Sequence, residues 1–468
     1  MGKGFVLIAA LAAACNTQPP QVLPPPFGPD GPSPTRLFFP TGLGQTNEGG
    51  LLVANGNFNH AYDSGTMVGI SRDYLDRLYN LQLDCGALGR DDSVCIQPIQ
   101  ESDFTGVVMI GSYSGPLALN TARTAAYTGS RDSGLLNAVR VDPGGVLHCP
   151  PGTGDDAARD CRQGLINLEP LGVDGPFSIV TGDTVLPGTT ASQPVFFVSS
   201  VIPHVESVSS GVVSSSSSVA VLSMDNPSSV LFTAQVAQPF VANGAAVGPM
   251  VFDAVRRQLY LSGCFQRSAA LGAGETGTNF CFTGAILTNY LRILNVDAGG
   301  AAVPLLIDLR GDLLGIFTVQ LLLANPDPVT GAPTTLWATM RNPDVLARYE
   351  LPTTPSVAPR LRSVIPMPVA PADMVRIDRG SAPDLLAVVT ERSNNVTIVD
   401  TGTEQVVAQV GRFGDSPFMI TQIPCPSGLT DSACLATSVF GACAIGLIEV
   451  PKSQPSKTRL RALAGSCP

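Results

Sequence analysis

Short runs of apolar and β-branched residues, separated by turn residues, recur along most of the chain. The clearest set covers residues 374–378, 385–390, 396–400 and 406–410. Each run is too short for a helix, and Asn394-Asn395 between the second and third run tolerates the left-handed backbone of a tight hairpin turn. Four antiparallel strands in roughly 45 residues are typical of one propeller blade.

A proline marks where most of these repeats begin, which is one of the few places where a sheet accepts it. Seven such starts predict seven blades, because a closed ring leaves no exposed sheet edge. We expect residues 458–463 to form the last outer strand and residues 35–39 to pair nearby. Six or eight blades, or two packed sandwiches, remain alternatives. The starts are Pro40, Pro116, Pro176, Pro249, Pro371 and Pro417, with Leu314-Gly315-Ile316-Phe317 as a start without proline.

The clearest repeat resembles the YVTN family of β-propeller repeats. The features that carry the resemblance are Pro371, Asn394-Asn395, Asp400 and Gly414-Asp415-Ser416-Pro417. The stretch LLVANGNF at residues 51–58 is similar to the same family. The resemblance implies an all-β, seven-bladed β-propeller of four-stranded antiparallel blades.

The first residues, MGKGFVLIAALAAAC, resemble a bacterial lipoprotein signal ending in a lipobox. The apolar run is too short to span a bilayer. The resemblance implies cleavage after residue 14, lipid attachment (palmitate) at Cys15 and, because Asn16 is not Asp, an outer-membrane location, periplasmic or surface-exposed. An ordinary secretory signal peptide is the alternative. The predicted domains are a signal at 1–14, a Pro-rich tether at 15–34 and one propeller at 35–468.

Composition narrows the class of partner. The charged residues amount to 14%, below the usual quarter, while Gly 48 and Pro 40 suit many short strands and turns. A net charge of -10 excludes nucleic-acid binding through phosphates, which needs clustered Lys and Arg. The serine run at residues 214–218 is interpreted as a flexible loop.

The 11 cysteines become an even ten once Cys15 is set aside for lipid. The remaining cysteines lie in neighbouring pairs, which indicates local disulfides and an oxidising compartment. Zinc is the alternative, but no pair has finger spacing. We expect the first, second and fourth pairs on the face formed by the loops between strands one and two and strands three and four of each blade. The pairs are Cys85/Cys95, Cys149/Cys161, Cys264/Cys281, Cys425/Cys434 and Cys443/Cys467.

No catalytic, cofactor or metal motif stands out. The three histidines, His60, His148 and His204, have no metal-site spacing. The G-x-G-x-x-G match at residues 272–277 lies in a cysteine-flanked insertion and is interpreted as a loop. Aspartates at strand ends, such as Asp400, favour turn chemistry over calcium binding. Trp337 and Phe440 are interpreted as packing between blades.

These patterns predict a secreted, lipid-anchored envelope protein that acts by binding or as a scaffold, with an envelope protein or a glycan as partner and no cofactor. The alternative is a propeller enzyme of the lactone hydrolase or quinoprotein dehydrogenase-like type, since fold alone does not fix function. A purely structural envelope component is a third hypothesis.

Overall fold

The computed structural model describes residues 27–28, 31–32, 37–58, 64–81, 83, 85, 95–131, 133–149, 159–164, 166–185, 191–200, 204–209, 212–216, 218–226, 230–235, 245–266, 287–296, 307–308, 317–354, 357, 359–411 and 413–465. Within the predicted tether, two short strands pair with each other: β1 (Phe27–Gly28) and β2 (Gly31–Pro32). The predicted signal peptide and Cys15 lie outside the described residues, so the domain boundaries at 14 and 34 stay predictions.

Seven small antiparallel sheets form a ring, so the protein is a seven-bladed β-propeller, as the sequence predicts. Each sheet takes its strands in chain order, with the first strand innermost. The first four blades are blade 1, β3 (Pro40–Gln45), β4 (Leu51–Asn55), β5 (Gly65–Ile70) and β7 (Phe104–Ile110); blade 2, β8 (Ser114–Leu119), β9 (Ala125–Ser130), β10 (Leu135–Asp142), β11 (Val146–His148) and β12 (Ile166–Asn167); blade 3, β13 (Pro176–Val185), β14 (Ser192–Ser200), β17 (Ser218–Ser223) and β18 (Val230–Gln235); and blade 4, β19 (Ala245–Asp253), β20 (Gln258–Gln266), β21 (Leu287–Asn295) and β22 (Ile307–Asp308).

The remaining blades follow the same order. They are blade 5, β23 (Phe317–Pro326), β24 (Pro333–Arg341), β25 (Val345–Glu350) and β26 (Arg360–Pro366); blade 6, β27 (Pro371–Arg379), β28 (Ala382–Thr390), β29 (Asn395–Asp400) and β30 (Gln405–Gly411); and blade 7, β31 (Pro417–Ile423), β32 (Ser432–Val439), β33 (Ala444–Pro451) and β34 (Arg459–Ala464). Outside the blades lie β6 (Ile96–Gln97), the hairpin β15 (His204–Ser209) and β16 (Val212–Ser216), α1 (Arg72–Asn80), and 3-10 turns at Glu101–Asp103, Pro143–Gly145, Cys161–Gly164, Glu169–Leu171 and Pro455–Lys457.

The core lies between neighbouring blades, because each sheet buries both of its faces. Trp337 of blade 5, for example, is fully buried against Leu386 and Val399 of blade 6. Burying one large apolar side chain contributes about 1.5–3 kcal/mol, so the blade interfaces supply most of the stability. The interpretation of Trp337 as packing is confirmed.

Every innermost strand has a β-bulge near its start. A bulge leaves backbone groups unpaired and bends the strand. In four blades a Ser or Thr hydroxyl from a second strand donates to a carbonyl inside a bulge: Thr128 to Gly115, Ser199 to Gly248, Thr339 to Ala372 and Thr437 to Met419, at 2.7–3.1 Å. The bulges lie at Pro40/Gly42, Ser114/Leu117, Pro176/Ile179, Val247/Met250, Thr318/Gln320, Pro371/Met374 and Pro417/Ile420.

An insertion in blade 1 fastens the ring where blade 1 meets blade 7. Helix α1 begins after Ser71, whose hydroxyl accepts the Tyr74 N–H at 3.3 Å. The Tyr79 hydroxyl lies 2.9 Å from the Leu435 carbonyl oxygen and 3.1 Å from that of Ile448, both in blade 7. After the helix, β6 adds a parallel strand to the outer edge of β34. The insertion therefore joins the two ends of the ring.

The N-terminal segment differs from the prediction. Residues 37–39 do not form a strand. Leu37 is instead buried beside Ile445 and Ala462 of blade 7, and the Phe38 N–H donates to Asn55 Oδ1 at 3.2 Å. The predicted outer strand at residues 458–463 is confirmed as β34. The serine run is not a loop throughout, since β16 and β17 contain most of it.

Three predicted disulfides are present: Cys85–Cys95, Cys149–Cys161 and Cys425–Cys434. The first lies between the third and fourth strands of blade 1 and the last between the first and second strands of blade 7, as predicted. Cys149–Cys161 instead interrupts the outer strand of blade 2, between β11 and β12, which both pair with β10.

The other two predicted pairs reach beyond the described residues. Cys443 is disulfide-bonded, and its predicted partner Cys467 lies outside them. Cys281, the predicted partner of Cys264, also lies outside, so this pair stays a prediction.

Candidate functional site

The two ends of the ring are built from different parts of the blades. At the proximal end, as we name it, the innermost strands begin and the second strands finish. At the distal end the innermost strands finish in turns. The seven bulges lie toward the proximal end, where unpaired backbone and redirected side chains surround the axis. Bulges are common next to binding sites for this reason.

Five aromatic rings meet at the proximal end of blades 7, 1 and 2; we call them the aromatic cluster. Phe440 stands at its centre, with its ring centroid 4.9 Å from Phe39, 5.3 Å from Phe58 and 6.3 Å from Phe418. The Phe58 ring in turn lies 4.9 Å from Tyr113. All five side chains are only half-buried. The cluster therefore offers a partly exposed aromatic surface, which suits stacking against a ligand.

Local backbone strain helps to place these rings. Phe39 and Tyr113, each just before an innermost strand, have φ of 48° and 51°, a conformation that non-glycine residues adopt rarely. Ala370 and Ser416 have the same backbone directly before the innermost strands of blades 6 and 7, so this conformation belongs to the start of a blade and at two of these starts carries an aromatic ring. The interpretation of Phe440 as packing between blades is therefore incomplete, because its ring also forms part of an open surface.

Arg131 lies beside the aromatic cluster, directly after β9. Its guanidinium carbon is 4.7 Å from the centroid of the Phe177 ring, and its backbone N–H donates to the Tyr113 carbonyl at 3.4 Å. No described carboxylate pairs with it, and its Nε is buried without a hydrogen-bond partner. Burial lowers the pKa of Arg131 to about 10. A cation in this position raises the energy of the protein unless an anion joins it.

Asp373 is a second ionisable group at the proximal end that has no opposite charge beside it among the described residues. One carboxylate oxygen accepts from Gln320 Nε2 at 2.8 Å and the other from the Ile420 N–H at 2.9 Å, which links blades 5, 6 and 7 at the axis. Burial raises the pKa of Asp373 to about 6, although these N–H donors favour the charged form. Groups with perturbed pKa values in a cleft are candidates for function.

The distal end contains a cavity of about 220 Å³ with a mainly apolar lining. The lining includes Phe252, Leu323 and Pro333, with Asp253 and Arg376 as its charged members. Both charges have an opposite charge within ion-pair distance. Arg256 Nη1 lies 2.7 Å from Asp253 Oδ2, and Arg376 Nε lies 2.9 Å from Asp384 Oδ2. These pairs favour a structural role for the distal charges.

Asp400 lies in a turn and His148 near the surface. Asp400 accepts the Gly402 and Thr403 N–H groups at 2.9 and 3.1 Å, which confirms turn chemistry. His148 lies 3.3 Å from Asp142 near the surface. His60 and the motif at 272–277 lie outside the described residues, and so does the side chain of His204.

Among the described residues, no three His, Cys, Asp or Glu side chains converge as a metal site requires. Over the same ranges, every helix is too short or too polar to cross a membrane.

Comparison with known proteins finds likeness at the level of fold. No protein-family model and no curated protein matches the chain. Among solved structures, candidate 6-phosphogluconolactonases of Bacteroides uniformis and Bacteroides fragilis are each 12% identical. The match to the first covers 80% of this chain and 83% of that one, with a TM-score of 0.41. The match to the second covers 81% of this chain and 86% of that one, with a TM-score of 0.42. The Cps50 (Swd1) β-propeller domain of Myceliophteria thermophila is 10% identical over 88% of this chain and 97% of that one, with TM-score 0.46.

Proposed function

We propose that this protein is a lipid-anchored cell-envelope β-propeller that acts by binding, and that it binds at the proximal end of the ring. The observation that carries the proposal is the aromatic cluster, whose five rings stay half-exposed although they contact one another. Apolar surface left open in this way marks interaction sites. Rigid blades hold the rings in place, which lowers the entropy lost on binding.

The disulfides support an envelope location, because such bonds persist in oxidising compartments. The anchor itself rests on the sequence before Cys15. Mass spectrometry of the N-terminus of the native protein tests it. We expect a mature chain that begins at an acylated Cys15; an unmodified Cys15 would mean secretion without an anchor.

Binding is favoured over catalysis by the chemistry at the proximal end. Acid–base catalysis needs paired or clustered titratable groups. Among the side chains described there, Asp373 is a buried carboxylate already held by two N–H donors, and Arg131 is a cation. Neither faces a nucleophile–base pair in the described part of the ring.

Capture experiments test where binding occurs. The chain from residue 15 onward, carrying Cys15→Ser so that it stays soluble, is immobilised and exposed to envelope extract. The Phe58→Ala/Phe440→Ala variant should lose the partners that the unchanged ring retains. Phe252→Ala, which alters a half-buried ring at the distal end, is the matched control. Loss of the partners in the distal variant alone would overturn the proposal.

A further inference from the structure

Arg131 is half-buried, with its Nε fully covered, and differs from other shielded arginines of the ring in having no counter-ion among the described residues. Arg256 lies against Asp253, and Arg461 lies against Glu449. Arg341, the last residue of the second strand of blade 5 at the proximal end, lies 2.6 Å from Glu391 and donates to the Pro371 carbonyl at 3.2 Å. Buried charges in folded proteins are normally paired. An exception at the proximal end, with no carboxylate among the described residues, leaves room for a partner from outside.

The surroundings hold the guanidinium in one orientation. The Phe177 ring covers one flat face. Gly115 lies against the edge: a Cβ there would come 3.3 Å from Nη2 and 3.6 Å from Nε of Arg131. Nε is buried, so a ligand would have to bind through the terminal nitrogens. A fixed guanidinium of this kind is well suited to an oxyanion, since its N–H groups match carboxylate or phosphate oxygens.

Aromatic surface lies beside the same position. Tyr113, which accepts the Arg131 backbone N–H, is the outer member of the aromatic cluster and contacts Phe58. A ligand whose anionic group reaches Arg131 can therefore place a flat or apolar body on these rings. An ion pair and a stacking surface side by side select for ligands that carry both features.

We propose that Arg131 and the aromatic cluster form a binding site for an oxyanion, carboxylate or phosphate, that is attached to a planar or apolar body. This inference rests on the proposed function and names the chemistry of its ligand. Bound anion would supply the counter-ion that the described residues do not.

Small aromatic acids test the proposal directly. Benzoate, phenyl phosphate and neutral benzyl alcohol are titrated into the chain from residue 15 onward carrying Cys15→Ser, with binding followed by ligand-observed NMR and calorimetry. We expect at least one anion to bind at least tenfold more tightly than benzyl alcohol, and Arg131→Met to remove that advantage. The stronger of the two anions identifies carboxylate or phosphate as the preferred group.

Two further variants separate charge from shape. Arg131→Lys keeps the charge and should retain part of the anion affinity. Arg341→Met removes an arginine that already has a partner and should leave anion affinity unchanged. Thermal unfolding verifies that each variant is folded.

Equal affinity for all three probes, or anion binding unaffected by Arg131→Met, would overturn this inference. If at the same time the aromatic double variant still loses its envelope partners, the proposed function stands without the anion site. If the anions bind as expected but the double variant keeps every partner, the site exists and the proposed function fails.

Discussion

The proximal and distal ends of the ring differ in the pairing of their most shielded charges. At the distal end, Asp253 has no exposed side-chain surface and receives Arg256 Nη1 together with the N–H groups of Val255 and Arg256. At the proximal end, Arg131 and Asp373 are desolvated with no opposite charge among the described residues. Paired charges fix turns, whereas unpaired charges destabilise the fold. Sites that depart from local rules in this way are where function is expected.

The largest expected effect comes from breaking a distal pair. Arg256→Met leaves the Asp253 carboxylate buried with backbone donors alone, and we expect the free energy of unfolding to fall by about 3 kcal/mol. Urea denaturation measures this. Arg362→Met is the matched control, because Arg362 pairs with Glu350 at the surface, and it should change stability by less than ~1 kcal/mol. Equal losses in the two variants would contradict a stabilising distal end.

The second effect is a pH dependence that arises at the proximal end. With a pKa near 6 in the folded state, against an ordinary value of about 3.9, Asp373 holds its proton where the unfolded chain releases it. Its contribution to stability should therefore fall as pH rises from about 4 to 6, by roughly 2–3 kcal/mol.

Asp373→Asn should remove this fall, which stability curves measured at several pH values will show. Asp327→Asn serves as a control of opposite sign. The Thr330 and Val329 N–H groups lower the pKa of Asp327, so its contribution is lost as pH decreases. A wild-type profile unchanged by Asp373→Asn would contradict the assignment.

A smaller loss is expected in the aromatic cluster. Phe440→Leu removes the contacts of the central ring with three others, and aromatic pairs contribute about 0.5–1.5 kcal/mol each beyond burial. Because the rings are half-exposed, we expect a net loss of about 1 kcal/mol in thermal or urea unfolding. A loss above ~3 kcal/mol would indicate a structural core rather than a surface.

The smallest effect on stability should come from Arg131→Met. The methionine can still pack on Phe177, and the variant no longer buries a cation without a partner. We expect the free energy of unfolding to stay within about 0.5 kcal/mol of the wild type or to rise, in contrast with Arg256→Met. A loss comparable to that of Arg256→Met would show that the two ends do not differ.

The sequence predicts the blades well because their signals are local. All four strands of blade 6 contain the predicted runs, and Asn394 has the predicted left-handed backbone with φ 51°. The prolines locate innermost strands because most blades of the ring begin in the same way, with a proline in the first strand. The helix α1 was missed, since nine residues give too little periodicity, although Ser71 and the spacing of Tyr74, Leu75 and Leu78 were usable signals.

The candidate site was not predictable in the same way. The five members of the aromatic cluster come from five separate segments, which only closure of the ring brings together. The same holds for Gln320, Asp373 and Ile420, one from each of three blades. Nothing near Arg131 in sequence reveals that none of the described carboxylates pairs with its side chain.

The path of the N-terminal segment has a consequence for access. Leu37 lies against blade 7, and the chain enters blade 1 at Pro40, at the proximal end that carries Arg131. On the proposed anchor, the Pro-rich spacer extends at most ~60 Å, at about 3.1 Å per residue. The propeller would then be held with its proximal end toward the lipid headgroups. The length of the spacer, rather than the shape of the proximal end, would then limit the size of a partner that can enter between the propeller and the membrane.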